Sequence, residues 1–260
     1  MLMALEIFLW IWRFFFGACI FSFLNVVVDR LPRNESIVKG RSHCDHCGHS
    51  LGAMELIPVI SYLMLRGRCK NCHGKIPVRS LVVEILGGAA FMSCVYFYND
   101  GSLGIISLEG LLAFSFICIL MVVAYIDLDT QMIYDRFHIL ILVLGIISCF
   151  ISKDLNIVER LIGSVVISVP MLVLTILIPG AFGGGDIKLM AVSGFFLGFK
   201  AIVIAMFIAL IIGGGYGTYM LVTKKLDKKD HFAFGPYLAI GLIVALFIGN
   251  EMMNWYIGLL

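Results

Sequence analysis

At 260 residues the chain is 61% hydrophobic and only 14% charged, with a mean hydropathy of +1.02. A soluble domain of this length has no use for so much apolar surface, whereas a polytopic membrane protein does. The formal net charge of +2 is too small to argue for a nucleic-acid partner, so the position of each charge says more than their sum.

Taken in chain order, apolar runs fall at about 7–28, 81–98, 106–126, 136–152, 160–180, 187–199, 200–222 and 235–259. Each predicts a helix, because a segment isolated in lipid must satisfy its own backbone hydrogen bonds. A closed β-barrel would need alternating segments of about ten residues, and these runs do not alternate. The expected fold is an all-α polytopic membrane protein of about eight transmembrane helices, or seven if 187–222 forms fewer complete spans. The first run lacks a basic region ahead of it and a small-residue cleavage pattern after it, so it reads as a retained helix rather than a signal peptide. Three parts follow: 1–28, a first transmembrane helix; 29–80, a hydrophilic four-cysteine segment; and 81–260, a membrane domain.

Basic residues set the orientation. Arg30, Arg33, Lys39, Arg41, Arg66, Arg68, Lys70, Lys75 and Arg79 lie between the first two runs. If the runs alternate, Arg136, Lys188, Lys224, Lys225, Lys228 and Lys229 share their side, against Lys153, Arg160 and Lys200 opposite. Fifteen against three predicts that 29–80, Asp127, Asp186 and the loop 223–234 are cytoplasmic, with both termini outside. Trp10, Trp12 and Trp255 then read as outer interfacial anchors.

The hydrophilic segment carries Cys44-x-x-Cys47 and Cys69-x-x-Cys72, separated by 21 residues. Two such tight turns supply a tetrahedral shell of four thiolates for zinc. Gly48 and Gly74, just past each pair, suit turns that need positive φ. Disulfides are disfavoured on the cytoplasmic side, which leaves structural zinc or unmetallated thiols on a loop. The run Cys69-x-x-Cys72-His73 also fits the haem-attachment pattern, a chemistry expected on the opposite side of the membrane. A loop of about fifty residues buries too little to fold alone, so the metal would supply the missing free energy. Its apolar middle, 57–65, should lie on the membrane or on other helices.

Two acids stand at the edges of apolar runs, where a carboxylate costs on the order of 2.5–3.5 kcal/mol at a helix centre and usually has a task. Asp127 follows the run ending at Ile126, and Asp186 follows Gly183, Gly184 and Gly185. Those glycines predict an irregular backbone that lets an extended peptide approach the carboxylate; the plainer reading is a hinge with Asp186 as a helix cap. Asp129 faces elsewhere, about 200° round a helix. Asp135 is expected to cap the next helix, and Lys188 to snorkel to the surface. Two carboxylates sharing one proton provide an acid and a base together, with no serine, metal or cofactor. Glu84 reads as a water-facing helix end, His138 as alone in an apolar run, and Gly213-x-x-x-Gly217 as a close helix contact.

In this order and spacing the chain resembles the type IV prepilin leader peptidases, GxGD-type membrane aspartic proteases. The residues that carry the likeness are Ser22–Pro32, the two cysteine pairs with their flanks, Asp127-Leu128, Gly183-x-Gly185-Asp186 with Lys188, and Phe234-Gly235-Pro236. Phe21, Tyr134 and Ala233 depart from it, standing where the family usually has glycine, proline and proline. The resemblance implies Asp127 and Asp186 as the catalytic pair and Cys44, Cys47, Cys69 and Cys72 as zinc ligands, beside Gly183, Gly184 and Gly185 read above as the substrate-approach loop. It further implies cleavage of the short basic leader of prepilins or pseudopilins at the cytoplasmic face of a bacterial inner membrane. Methylation of the new N-terminus by S-adenosylmethionine rests on resemblance alone; the sequence shows no methyl-donor site of its own. The alternatives are a non-enzymatic zinc-bearing component of a pilus or secretion assembly, and an ion-coupled transporter.

Overall fold

A computed structural model describes residues 2–98, 106–152, 155–223 and 233–259. All eight apolar runs are helical in it. They form α1 (Leu2–Arg30), α3 (Val78–Phe97), α4 (Leu108–Thr130), α5 (Asp135–Ile151), α6 (Ile157–Val166) with α7 (Ser168–Leu177), α8 (Gly184–Leu197), α9 (Phe199–Val222) and α10 (Gly235–Ile257). A short α2 (Ile60–Met64) and a 3-10 turn, Ala53–Leu56, lie in the hydrophilic segment. Among the described residues six segments are long and apolar enough to cross a membrane: α1, α3, α4, α6 with α7, α9 and α10. The protein is a multi-pass membrane protein. Helices α5 and α8 have 17 and 14 residues, roughly 26 and 21 Å against a hydrocarbon core of about 30 Å.

The run expected as one helix over 160–180 breaks at Ile167, between α6 and α7. Pro170 is the cause: it has no N–H to donate, and its ring conflicts with the carbonyl four residues back. Tyr134 keeps φ at −75°, within the range that proline would hold. Lys153 and the basic cluster Lys224, Lys225, Lys228 and Lys229 lie outside the described residues.

The chain forms two compact units, Met1–Phe114 and Ser115–Leu260. In the first, α1 packs on α3 through glycines: Gly17 lies against the Gly87 carbonyl, Gly87 against Phe21 and Gly88 against Phe14. Small residues let helix backbones approach where lipid supplies no hydrophobic drive. Phe91 seals the contact, meeting Phe114 edge-on with ring centres 4.9 Å apart.

The hydrophilic segment of this unit is built on a repeat of 25 residues. Cys44 N–H donates to His49 O, Gly48 N–H to Cys44 O and Leu51 N–H to Ser42 O; Cys69, His73 and Ile76 make the same three bonds to Gly74, Cys69 and Gly67. The left-handed position is filled by Gly48 at φ 69° but by His73, not Gly74, at φ 57°. Gly74 is needed for space instead, since a Cβ there would stand 2.8 Å from the His46 ring. Between the repeats, Val59 turns at φ 63°, ψ −51°, a rare conformation for a β-branched residue. Glu84 holds that turn, accepting from Val59 N–H at 2.7 Å and from the Ser22 hydroxyl at 2.8 Å. It thus ties α1, α3 and the hydrophilic segment together instead of ending a helix in water. The apolar stretch 57–65 forms α2, where Leu63 and Met64 remain 61% and 74% exposed.

In the second unit α10 packs on α9, and α8 packs on α5 and α6. Gly213 gives close access to Phe234 and Tyr237, as the glycine spacing predicts. Gly163 and Gly194 meet backbone to backbone, so that a Cβ added at either would overlap the other's carbonyl. Arg160, counted above among the loop charges, is 1% exposed. Its Nη1 donates to Ser148 Oγ at 2.7 Å, Phe196 O at 3.2 Å and Phe195 O at 3.3 Å. One guanidinium therefore closes the C-terminal turns of both short helices, where a cation also meets the negative ends of their dipoles.

Candidate active site

The second unit gathers the end of α4 and the starts of α5, α8 and α10. Asp127 lies in the last turn of α4 and is 5% exposed. Its Oδ2 accepts the backbone N–H of Gly235 at 2.9 Å in a buried bond. Gly235 is the first residue of α10, so its N–H has no partner within the helix. A Cβ there would stand 2.6 Å from Asp127 Oδ2, so only glycine fits. Sequence reading took Phe234-Gly235-Pro236 as the opening of a helix and missed this contact. An orphan donor at a helix start was legible; its partner, 108 residues away, was not.

Asp186 is the third residue of α8, 8% exposed, and accepts the Gly183 N–H at 3.3 Å. It reaches back to cap its own helix. Phe234, next to the Gly235 that bonds Asp127, has its ring centre 5.8 Å from that of Phe182, four residues before Asp186. The structure therefore brings together the pair that the sequence singled out.

The glycines beside it differ from expectation. Only Gly183, at φ −69° and ψ 143°, precedes the helix; Gly184 and Gly185 are its first two residues. Their value is space rather than irregular backbone. A Cβ on Gly185 would stand 2.9 Å from Ile133 Cβ, whereas one on Gly184 would meet nothing within 4 Å.

Asp129 is exposed. Asp135 does not cap α5, since that position belongs to Tyr134; instead it accepts from Lys188 Nζ at 2.7 Å. Lys188 is thus paired across two helices. His138 is not alone: Nε2 lies 3.1 Å from Gly185 O and Nδ1 3.3 Å from Asp135 Oδ1.

In the first unit the sulfur atoms of Cys44, Cys47, Cys69 and Cys72 all lie within 4.8 Å of one another, a cluster able to hold a metal ion. Cys44 and Cys72 approach to 3.8 Å. Backbone N–H groups of Cys72 and Asn71 favour the Cys69 thiolate and hold that thiol down at about 6. The neighbouring histidines are not part of the sulfur cluster; His49 lies 3.5 Å from Glu55. A cavity of about 400 Å³ lies between the end of α1 and the two knuckles, lined by Asn25, Asp29, Glu55, Tyr62 and Glu84 among others.

The model of the bacterial peptidase A24 N-terminal domain matches residues 15–98, and that of the type IV leader peptidase family matches 114–218. A Bacillus subtilis (strain 168) protein named prepilin leader peptidase/N-methyltransferase is 33% identical, over 94% of this chain and 96% of its own length. Proteins of the same name from Pseudomonas putida and Neisseria gonorrhoeae are 32% and 29% identical; they align over 91% and 93% of this chain and 89% and 92% of their own lengths. No solved structure gives a significant match. With its two carboxylates, its four-thiol cluster and relatives aligned along nearly its whole length, the chain belongs to the type IV leader peptidase family.

Proposed function

We propose that the protein is a membrane aspartic endopeptidase that uses Asp127 and Asp186 to remove the short basic leader of a prepilin or pseudopilin. The observation that carries this reading is a pair of buried carboxylates from separate helices, Asp127 at the end of α4 and Asp186 at the start of α8, within one compact unit. With the Gly235 N–H donated to Asp127, the shared proton sits on Asp186. Asp127 takes a proton from water as the water oxygen attacks the scissile carbonyl carbon. Asp186 gives its proton to the carbonyl oxygen. As the resulting diol collapses, the C–N bond breaks, the proton held by Asp127 leaves with the new amine, and one diol hydroxyl returns its proton to Asp186 as the carboxyl product forms. Gly183, Gly184 and Gly185 form the approach for the extended substrate, supported by the open space beside Gly184.

The basic residues around the cysteine segment support placing that segment and both acids on the cytoplasmic side of a bacterial inner membrane. The leader is then basic and aqueous, while the rest of the substrate's apolar helix stays in the bilayer. Zinc is the metal for the cysteine cluster: a tetrahedron with Zn–S bonds of about 2.3 Å needs sulfurs about 3.8 Å apart, and Cys44 and Cys72 stand at 3.8 Å. Bound there, zinc would hold the two knuckles together. The relatives' name supports a second step, transfer of a methyl group from S-adenosylmethionine to the new N-terminal amine. The cavity of about 400 Å³ in the first unit lies within the range of small-molecule sites, roughly 300–1,000 Å³.

Purified protein incubated with a prepilin, with and without S-adenosylmethionine, tests the reading by mass spectrometry of the product's N-terminus. Asp127→Asn and Asp186→Asn should each abolish cleavage while leaving protein level and metal content unchanged. Normal processing by both variants would return the protein to a non-enzymatic assembly component.

A further inference from the structure

The carboxylate pair is braced from outside by residues that the chemistry does not use. His138, in the first turn of α5, is 5% exposed. Its Nε2 lies 3.1 Å from the Gly185 carbonyl oxygen. A carbonyl can only accept, so Nε2 carries the hydrogen and donates it. On the ring's other side Asp135 Oδ1 lies 3.3 Å from Nδ1 and accepts from Lys188 Nζ at 2.7 Å. The result is one inner and one outer tie between α5 and α8. They attach at residues 185 and 188, on either side of Asp186. The outer pair is more than half exposed, at 58% and 68%, whereas the histidine is enclosed.

The other end of the brace leads to Asp127. Helix α5 follows α4 after a connector of four residues, Gln131–Tyr134, and Ile133 of that connector packs against Gly185. A shift of α5 relative to α8 would therefore alter the separation of the two acids. An imidazole is a rigid ring with few rotatable bonds, which suits it to fix such a distance.

We propose that His138 is a positioning residue for leader cleavage, its Nε2–H seated on the Gly185 carbonyl to set where Asp186 stands relative to Asp127. The proposal rests on the aspartic-peptidase reading above. It predicts an effect on turnover rather than on substrate affinity, because the ties fix α8 on either side of Asp186 while the open space of the approach lies beside Gly184.

The test uses the full chain in lipid nanodiscs with a synthetic prepilin, and separates kcat from KM. His138→Gln keeps an N–H at the reach of Nε2, whereas His138→Asn is polar but too short. A misplacement of the order of 1 Å costs roughly 100-fold, so His138→Asn should lose about 10- to 100-fold in kcat, with KM within about twofold. His138→Gln should recover to within about threefold of the natural chain. Equal kcat in the two variants, or a change confined to KM, overturns the role of His138. A natural chain that does not cleave sinks the peptidase reading itself, a result distinguishable from either.

Discussion

The backbone N–H of Gly235 is bonded to Asp127 Oδ2 at 2.9 Å, joining the start of the last helix to the end of α4 across 108 residues of chain. Gly235→Ala would put a methyl group 2.6 Å from that oxygen and force the carboxylate away. We expect a loss of about 100-fold in kcat for leader cleavage, with the variant accumulating normally. A near-normal rate would show that Asp127 needs no such support.

The four-thiol cluster predicts a metal content that depends on each cysteine and on pH. The natural chain should bind about one zinc per chain, and Cys72→Ser far less. The ligands must be thiolates, so metal binding releases protons, and acid should strip the metal while alkali retains it. Elemental analysis after dialysis from pH 8 to pH 5, with limited proteolysis of residues 29–80, reads both effects. Retention of full metal by Cys72→Ser would place the ion elsewhere.

Arg160 should matter to stability. Arg160→Met leaves the Ser148 hydroxyl and the Phe195 and Phe196 carbonyls without their donor. Buried groups left in this way cost about 1–3 kcal/mol each. Arg160→Lys should recover only part, because an ammonium cannot fork between two helix ends. Thermal denaturation in detergent would show it as a lowered midpoint; an unchanged midpoint counts against the double cap.

The crossing of α6 and α8 tolerates no side chain. A Cβ on Gly194 would stand 2.6 Å from the Gly163 carbonyl carbon. Gly194→Val should therefore destabilise the second unit by about 1–3 kcal/mol or more, while Gly184→Ala, facing open space, should fold as the natural chain does. Equal stability of all three chains would mean that the helices can part at no cost.

Much of this architecture was legible because lipid leaves a chain few choices. A long apolar run has to be a helix, and a carboxylate at its edge stands out, so Asp127, Asp186 and the eight runs could be read directly. The spacing of the cysteines was equally plain, since each pair forms a local turn. What escaped was long-range pairing. Nothing near Asp135 or Lys188 reveals that they meet across 53 residues, and His138 in an apolar run looks isolated until Gly185 is placed beside it. Local chemistry also misled at the second knuckle, where glycine was expected to take the left-handed turn. His73 takes it because the repeat fixes the backbone, leaving Gly74 to make room for His46.

Helices α5 and α8 both start at the aspartate end and stop at Arg160, well short of the length of their neighbours. A bilayer around them must dip on the side away from the acids or be excluded by protein there, and the cost of that dip rises with acyl-chain length. Lipids with shorter tails should then favour the compact arrangement, so the thickness of the surrounding membrane becomes a quantity to which catalysis responds.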